Sequence, residues 1–276
     1  MKAMILAAGL GTRLRPLTND RPKALVEVNG STLLEITIAR LKKFGVREFI
    51  VNVHHFADKV IAYLKSKNEF GLRIEVSRED DLLLDTGGGL KKASWFFLES
   101  SSPLDEPFLL HNVDVISSID FSRMLQFHNE HHALATLAVQ ARDSSRQLLF
   151  NHDLQLSGRR INGQNTFVSR PNTEHGDSCH SERSEESASS SNSPLATRHS
   201  PLPFAFSGIH IVSPRLLPLL TETTPVFSII DSYLRLAAQG HKILAFRADQ
   251  YYWRDLGRAQ DLAQAAQDLR QDPALH

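Results

Sequence analysis

The sequence predicts a doubly wound α/β fold built around a mainly parallel sheet. Short runs rich in β-branched residues alternate with amphipathic segments of helical length through the first half of the chain. Each predicted helix separates two predicted strands, so the strands are joined by crossovers that leave neighbours parallel. The 276 residues, 41% of them hydrophobic, are enough to bury a large core.

The elements follow from this patterning in chain order. In the first half we expect strands at residues 2–7, 48–53, 72–77 and 108–111, and helices at 32–44, 57–65, 90–98 and 121–131. Gly45 closes the first helix, as glycine often does. Strands at 134–140 and 147–150 have no helix between them, which predicts an antiparallel extension. Strands at 204–212 and 242–247 and helices at 228–238 and 256–269 complete the pattern.

Composition excludes several classes of protein. Lys and Arg total 31 and Asp and Glu total 31, so net charge gives no general attraction for nucleic acid or membrane surfaces. The lone Cys179 cannot form an internal disulfide, which suits a reducing compartment. The apolar run before Gly9 is too short for a signal peptide, and no stretch reaches the roughly 20 residues of a membrane span. We expect a soluble, cytoplasmic monomer or small homo-oligomer.

Residues 171–203 differ from the rest of the chain. Nine of these 33 residues are serine and five are apolar, so the segment cannot offset its ordering entropy. We predict a disordered insertion in a surface loop of a single domain spanning residues 1–276. It holds two basic and five acidic residues, which leaves 29 basic against 26 acidic residues elsewhere.

The segment after the first strand, AAGLGTRLRP at residues 7–16, gives the strongest functional signal. Gly9 and Gly11 allow close backbone approach to a ligand, and consecutive N–H groups in such a turn bind anions. Arg13 and Lys23 add full positive charges, so the segment predicts a polyphosphate site. A dinucleotide-binding GxGxxG is excluded by Leu14, and the P-loop pattern is absent. A plain glycine turn is the structural alternative.

Five segments together indicate a family. They are MILAAGLGTRLRPLTNDRPKALVEVNG at 4–30, LDTGGG at 84–89, HNVDV at 111–115, FSGI at 206–209 and WRDLG at 253–257. The chain resembles the sugar-1-phosphate nucleotidyltransferases, most closely the branch of N-acetylmuramate-1-phosphate uridylyltransferases and mannose-1-phosphate guanylyltransferase-like proteins. The resemblance covers about residues 1–150 and 204–270. It implies the nucleotide-diphospho-sugar transferase fold, with a Rossmann-like sheet and a sugar-side antiparallel extension.

The resemblance also implies roles for individual residues. Arg13 and Lys23 would be catalytic, through contacts with phosphates. The nucleotide would contact Leu6, Ala8, Gly9, Gly11, Thr12, Thr86, Gly87 and Gly88. Asn112, Ser207 and Gly208 would contact the sugar phosphate, and Asp114 and Asp255 would hold Mg²⁺.

Both aspartates also have structural alternatives. Asp114 follows an apolar strand at its carboxyl end, where ligands bind in open α/β sheets, but a turn explains it equally well. Asp255 precedes Gly257 and a helix, so an N-cap is the better explanation in isolation. Mg²⁺ is commonly held by one or two carboxylates and substrate phosphates, and the pair therefore favours a metal site. Val113 departs from the family, which often has glycine there.

Three further segments carry two interpretations each. Residues 86–89 are either a glycine turn in which a nucleobase lies against the main chain or a flexible connector before a helix. Ser207 and Gly208 either contact the sugar or serve packing. Arg142, Ser145 and Arg146 either approach the sugar or form a surface turn.

The sequence therefore predicts a Mg²⁺-dependent enzyme that transfers a nucleotidyl group from an NTP to a sugar-1-phosphate and releases pyrophosphate. UTP and N-acetylmuramate-1-phosphate are the expected substrates. A mannose- or heptose-1-phosphate guanylyltransferase is one alternative, and a non-catalytic sugar-nucleotide-binding regulatory protein is another. Neither a nucleic acid nor a membrane is expected as a partner.

Overall fold

A computed structural model describes residues 1–99, 106–168, 200–271 and Leu275. Most of the predicted insertion lies outside the described residues. Its last residues are described: Leu202 and Pro203 belong to a strand, which therefore begins before the predicted residue 204. Pro203 pairs with Leu149 of a neighbouring strand, and this pairing extends the strand beyond the apolar run visible in the sequence.

The strands are β1 (Lys2–Leu6), β2 (Glu27–Val28), β3 (Ser31–Thr32), β4 (Glu48–Val53), β5 (Arg73–Arg78), β6 (Phe108–Asn112), β7 (Val115–Ser117), β8 (Ala135–Gln140), β9 (Arg146–Phe150), β10 (Leu156–Ile161), β11 (Gln164–Phe167), β12 (Leu202–Val212), β13 (Ile243–Arg247) and β14 (Trp253–Asp255). The α-helices are α1 (Leu33–Lys43), α2 (Ala57–Ser66), α3 (Asp85–Lys92), α4 (Ser94–Phe97), α5 (Phe121–Glu130), α6 (Ile229–Ala238) and α7 (Ala259–Gln271).

One mixed sheet organises the described part of the chain. Strands β5, β4, β1 and β6 lie side by side and parallel, with Met4 of β1 opposite Ile50 and Leu110. Strand β12 runs antiparallel to β6 and pairs on its other edge with β8 and β9. Strand β13 is parallel to β8, and β10 and β11 extend the sheet antiparallel beyond β9. The predicted parallel sheet with an antiparallel extension is confirmed.

Helices cover both faces of this sheet, as the doubly wound prediction requires. Alternate residues of β1 point to opposite faces. Ala3 and Ile5 pack in a core shared with α1, α2, α5 and α7, whereas Met4 packs in a core shared with α3, α4 and α6. The carboxyl ends of β1, β4 and β6 thus open on one edge between two helical layers, where ligands bind in such folds.

Three local features differ from the prediction. Helix α3 begins at Asp85, whereas the sequence placed a glycine turn there and a helix from Leu90. The hairpin of β10 and β11 was not predicted, because its residues are mostly polar and partly exposed. The short ladder between β7 and β14 was also missed, since each strand has three residues. No helix in the described ranges is long and apolar enough to cross a membrane.

Candidate functional site

The glycine turn after β1 folds back on the segment that carries Lys23. Gly11 has a φ of +64°, a conformation that favours glycine. A β-carbon on Gly11 would lie 3.0 Å from Cγ2 of Thr18 and 3.2 Å from Cβ of Lys23. The Thr18 hydroxyl also donates to the Gly11 carbonyl over 2.9 Å. The missing side chain at Gly11 therefore lets Lys23 lie directly against the turn.

Lys23 and Asp114 meet at the carboxyl edge of the sheet. The Lys23 side chain is largely buried, and its Nζ donates to Oδ2 of Asp114, which comes two residues after β6. Since Val113 donates its N–H to the carbonyl of Leu6 over 3.1 Å, the main chain before Asp114 is tied to the end of β1. This brings together residues from the first and the third of the five motif segments.

Asp255 reaches the same place through a two-stranded ladder. Strands β7 and β14 pair antiparallel with Val115 opposite Asp255, and Leu256 donates its N–H to the Asp114 carbonyl over 2.7 Å. A β-carbon on Gly257 would lie 2.5 Å from Oδ1 of Asp255 and 2.8 Å from Nη2 of Arg13. The glycine at 257 thus allows Arg13 to approach Asp255. The structure brings the four residues Arg13, Lys23, Asp114 and Asp255 together.

The pKa of Asp255 is affected by its burial and by the neighbouring carboxylate of Asp114. Burial raises the pKa of Asp255, and the charge of Asp114 raises it further, while Lys23 and Arg13 oppose the shift. Oδ1 of Asp255 accepts one hydrogen bond, from the Gly257 N–H over 2.7 Å. Two acidic side chains that repel each other at the edge of a cleft are a donor set that fits a hard cation such as Mg²⁺. No cluster of three or more His, Cys, Asp or Glu suited to a metal occurs among the described residues.

A cavity of about 390 Å³ lies against the glycine turn, and we call it the glycine-loop cavity. The predicted site residues in its lining are Leu6, Ala8, Gly9, Lys23, Thr86, Asn112 and Asp114. Gly11 and Thr12 of the predicted set are not part of its lining.

A buried network of hydrogen bonds made by Asn52 and Glu79 holds the segments around this cavity. Asn52, at the end of β4, accepts from the Ala7 N–H over 2.8 Å and donates to Glu79 over 2.7 Å. Glu79 in turn accepts from the Leu84 N–H over 2.9 Å. Neither residue of this pair is predicted from the sequence, where the available signal is a polar Asn inside the apolar run IVNV.

The glycines of LDTGGG lie inside α3, so the predicted open turn is wrong. A β-carbon on Gly87 would lie 2.4 Å from the Phe227 ring, and one on Gly88 would lie 2.1 Å from the Pro225 carbonyl oxygen. The N–H groups of Gly87 and Gly88 both donate to the Phe227 carbonyl. These glycines therefore seat the segment before α6. Their direct contact with a nucleotide stays a prediction, and Thr86 is the residue of this run that lines the glycine-loop cavity.

A larger cavity of about 760 Å³ adjoins the first at Asn112, and we call it the arginine-lined cavity. It includes the predicted residues Arg13, Asn112, Ser207, Gly208 and Asp255. The arginines in its lining are Arg13, Arg142, Arg146, Arg254 and Arg258. The position of Arg142, Ser145 and Arg146 in this lining supports the interpretation that they approach a ligand.

The structure requires glycine at position 208, which lines this cavity. Its φ is +73°, and a β-carbon there would lie 2.7 Å from Nδ2 of Asn112. The side chain of Asn112 therefore occupies the space that any other residue at 208 would fill. Ser207 is fully buried, and its hydroxyl has no hydrogen-bond partner among the described residues.

Arg142 is held against the wall of the same cavity. Its guanidinium carbon lies 3.7 Å from the centre of the Trp253 ring, and its Nη2 donates to the Phe206 carbonyl over 2.8 Å. The Trp253 indole N–H is itself fixed on the Ser207 carbonyl at 2.7 Å. Burial lowers the pKa of Arg142, and the charge of Asp255 opposes that shift.

Beyond Asn112, a third cavity of about 580 Å³ lies between the β10 strand and the start of α6. It contains Arg146, Arg159 and Arg160, and Arg159 pairs with Asp231 over 2.6 Å. No residue of this hairpin is among the predicted site residues. No sequence signal for it was available, because the hairpin lies where the family resemblance ends.

The chain is similar in sequence to several known proteins. A family model described as nucleotidyl transferase matches residues 2–150. An N-acetylmuramate alpha-1-phosphate uridylyltransferase of Caulobacter vibrioides is 49% identical over 116 residues, which are 41% of this chain and 46% of the relative. A probable mannose-1-phosphate guanylyltransferase of Oryza sativa subsp. japonica is 36% identical over 140 residues, 50% of this chain and 38% of the relative. The matches span less than half the length of these relatives.

Solved structures show the same fold. HddC from Yersinia pseudotuberculosis, complexed with GMP-PN, superposes with a TM-score of 0.69 at 20% identity, covering 97% of this chain and 99% of that one. A UDP-glucose pyrophosphorylase complexed with UDP-glucose gives a TM-score of 0.70 at 17% identity, covering 98% of each chain. The predicted nucleotide-diphospho-sugar transferase fold is confirmed.

Proposed function

Because the chain belongs to the nucleotidyl transferase family, we propose that it is an enzyme that transfers a nucleotidyl group from an NTP to a sugar-1-phosphate. The observation that carries the proposal is the contact of Lys23 with Asp114, beside Arg13 and Asp255. These four charged groups lie where the glycine-loop cavity and the arginine-lined cavity meet. The NTP would occupy the first cavity and the sugar-1-phosphate the second.

In the proposed reaction, a phosphate oxygen of the sugar-1-phosphate attacks the α-phosphorus of the NTP and forms a new P–O bond. The bond from the α-phosphorus to the bridging oxygen breaks, and pyrophosphate leaves with the electron pair. A phosphate monoester has a second pKa of about 6, so the acceptor is mostly a dianion at neutral pH. No residue has to remove a proton, and the protein acts by positioning and by neutralising charge.

The charged residues divide this work. The main-chain N–H groups around Gly9 would face the phosphates of the NTP. Lys23, released from Asp114 by a competing phosphate, would supply a point charge, and Arg13 a planar fork. Asp114 and Asp255 would hold Mg²⁺, which when bound neutralises phosphate charge in the transition state.

For the substrates, we propose UTP and N-acetylmuramate-1-phosphate. The support is the 49% identity, over 116 residues, with a relative that carries that name. GTP with mannose- or heptose-1-phosphate is the second candidate. It is supported by the plant relative and by the structural neighbour that is complexed with GMP-PN. We place the enzyme in the cytoplasm.

A pyrophosphate-release matrix tests the proposal. Four NTPs are combined with the 1-phosphates of N-acetylmuramate, N-acetylglucosamine, glucose and mannose, with Mg²⁺ or with EDTA. We expect the highest rate for UTP with N-acetylmuramate-1-phosphate, loss of that rate in EDTA and its return with added Mg²⁺. Asp114→Ala should abolish the rate. Tight binding of an NDP-sugar without turnover in any combination would instead favour a regulatory protein.

A further inference from the structure

We propose that Arg142 binds the anionic group of the acceptor in the arginine-lined cavity. The inference rests on the proposed function and deepens it, because it assigns the acceptor side of the site to a residue outside the family motifs. Arg142 follows β8 and precedes β9. Its sequence context, QARDSSR, is compatible both with an approach to the sugar and with a surface turn.

The Arg142 side chain is held in place without a ligand. Its guanidinium stacks on the Trp253 ring at 3.7 Å and donates to the Phe206 carbonyl at 2.8 Å. Trp253 cannot turn freely, since its indole N–H is bound to the Ser207 carbonyl. A planar fork that is already oriented loses little conformational entropy when it binds an anion.

The positive charge of Arg142 is acted on by the nearby charge of Asp255, but no carboxylate among the described residues pairs with it directly. Within the described residues it forms no ion pair, and its Nε is buried without a hydrogen-bond partner. Arg254 in the same cavity is different, because it pairs with Asp268 at 3.1 Å. A partly buried guanidinium that contacts only a carbonyl and a ring is costly to maintain without an anion, so an anionic ligand is the missing partner.

Arg142 lies on the side of the site that we assign to the acceptor. Arg142 lines the cavity that also contains Arg13, Asn112 and Asp255, and it does not line the glycine-loop cavity. The base and ribose of the nucleotide therefore lie away from it. The anion it meets belongs to the acceptor. Two oxygen groups have the chemistry that a guanidinium fork recognises, the 1-phosphate itself and a carboxylate substituent on the sugar.

The test compares Arg142→Met and Arg142→Lys with wild type in steady-state pyrophosphate release. Arg73→Met is the matched control, because Arg73 also stacks on an aromatic ring, that of Phe96, but lies on the far edge strand β5. We expect Arg142→Met to raise the KM for the acceptor about ten- to a hundredfold, the range for a lost hydrogen bond to a charged group, and to leave the KM for the NTP unchanged. Arg142→Lys should have an acceptor KM between those of wild type and Arg142→Met. In a third variant, Arg142→Ala, guanidinium chloride should partly restore the rate.

The acceptor panel separates the two sources of the anion. A higher KM for glucose-1-phosphate as well as for N-acetylmuramate-1-phosphate assigns Arg142 to the phosphate. A higher KM for N-acetylmuramate-1-phosphate alone assigns it to the carboxylate of that sugar.

An unchanged acceptor KM in an active Arg142→Met or Arg142→Lys enzyme overturns the inference about Arg142 but not the proposed function. A wild-type enzyme without turnover on any acceptor overturns the proposed function and the inference with it. If Arg142→Met does not fold, Arg142→Lys decides.

Discussion

The side-chain amide of Asn52 joins the start of the glycine turn to Glu79, accepting from the Ala7 N–H at 2.8 Å and donating to the Glu79 carboxylate at 2.7 Å. Asn52 and Glu79 are both buried. Glu79 also holds the Leu84 N–H just before α3. One amide therefore links the two segments that face each other across the glycine-loop cavity.

Asn52→Ala should destabilise the protein by about 2–4 kcal/mol, because it leaves the Ala7 N–H and one oxygen of a buried carboxylate unpaired. Urea unfolding monitored by circular dichroism measures this loss. Asn129→Ala, on the exposed end of α5, is the control and should change stability by no more than about 0.5 kcal/mol. Equal stabilities for the two variants would show that the network does not hold the cavity together.

Gly208 offers a test with an internal control. Gly208→Ala places a β-carbon on a backbone with a φ of +73° and 2.7 Å from the Asn112 amide. The substitution should therefore lower stability through backbone strain and should also displace Asn112. Gly240→Ala imposes the same kind of strain at φ +89° with open space around it. We expect Gly240→Ala to lose about 1–2 kcal/mol of stability with normal kinetics. Gly208→Ala should lose more and raise the KM for the acceptor; identical behaviour would exclude the steric role.

Gly87 distinguishes packing from ligand binding in α3. On helix propensity alone, Gly87→Ala would stabilise α3 by about 1 kcal/mol. Since its β-carbon would lie 2.4 Å from the Phe227 ring, we expect a net destabilisation instead, measured by thermal unfolding. Adding Phe227→Ala should make the effect of Gly87→Ala less unfavourable, because the clash is removed. Additive effects of the two substitutions would mean that Phe227 is not what requires glycine.

The sequence was sufficient where the chain carries its own local signal. The parallel strands, α1 with its closing Gly45, and the turn from Gly9 to Gly11 all follow from apolar spacing and glycine. Asp114 and Asp255 are 141 positions apart in numbering, and only the family motif suggested that they meet. The ladder of β7 and β14 that joins them is too short to leave a periodic pattern.

What the sequence did not predict depends on tertiary contacts. Helix α3 contains three glycines because neighbouring groups occupy the space beside them, which no local propensity encodes. These neighbours are Phe227 at Gly87, Pro225 at Gly88, and Asn52 and Glu79 at Gly89. The stacking of Arg142 on Trp253 joins residues from distant parts of the chain. A sequence pattern shows that an arginine is present, but only the fold shows that Arg142 forms no ion pair among the described residues.

His128 predicts how stability depends on pH. Burial lowers its pKa to about 4, with a further contribution from the charge of Arg215, while its Nδ1 contacts the Thr136 hydroxyl at 2.9 Å. His132 and Arg215 line the small cavity beside it. In the unfolded chain the same imidazole titrates near 6.5, so below that pH the unfolded state binds more protons.

The stabilising contribution of neutral His128 is therefore complete above about pH 6.5 and is lost as the pH falls toward 4. We expect wild type to lose roughly 1–3 kcal/mol through this group over that window, measured by urea unfolding at a series of pH values. The glutamine side chain in His128→Gln does not titrate, so the stability of this variant should fall less steeply between pH 6.5 and 4. Exposed His131 provides the control, because His131→Gln should keep the wild-type slope. A His128→Gln curve parallel to wild type would show that another group carries the dependence.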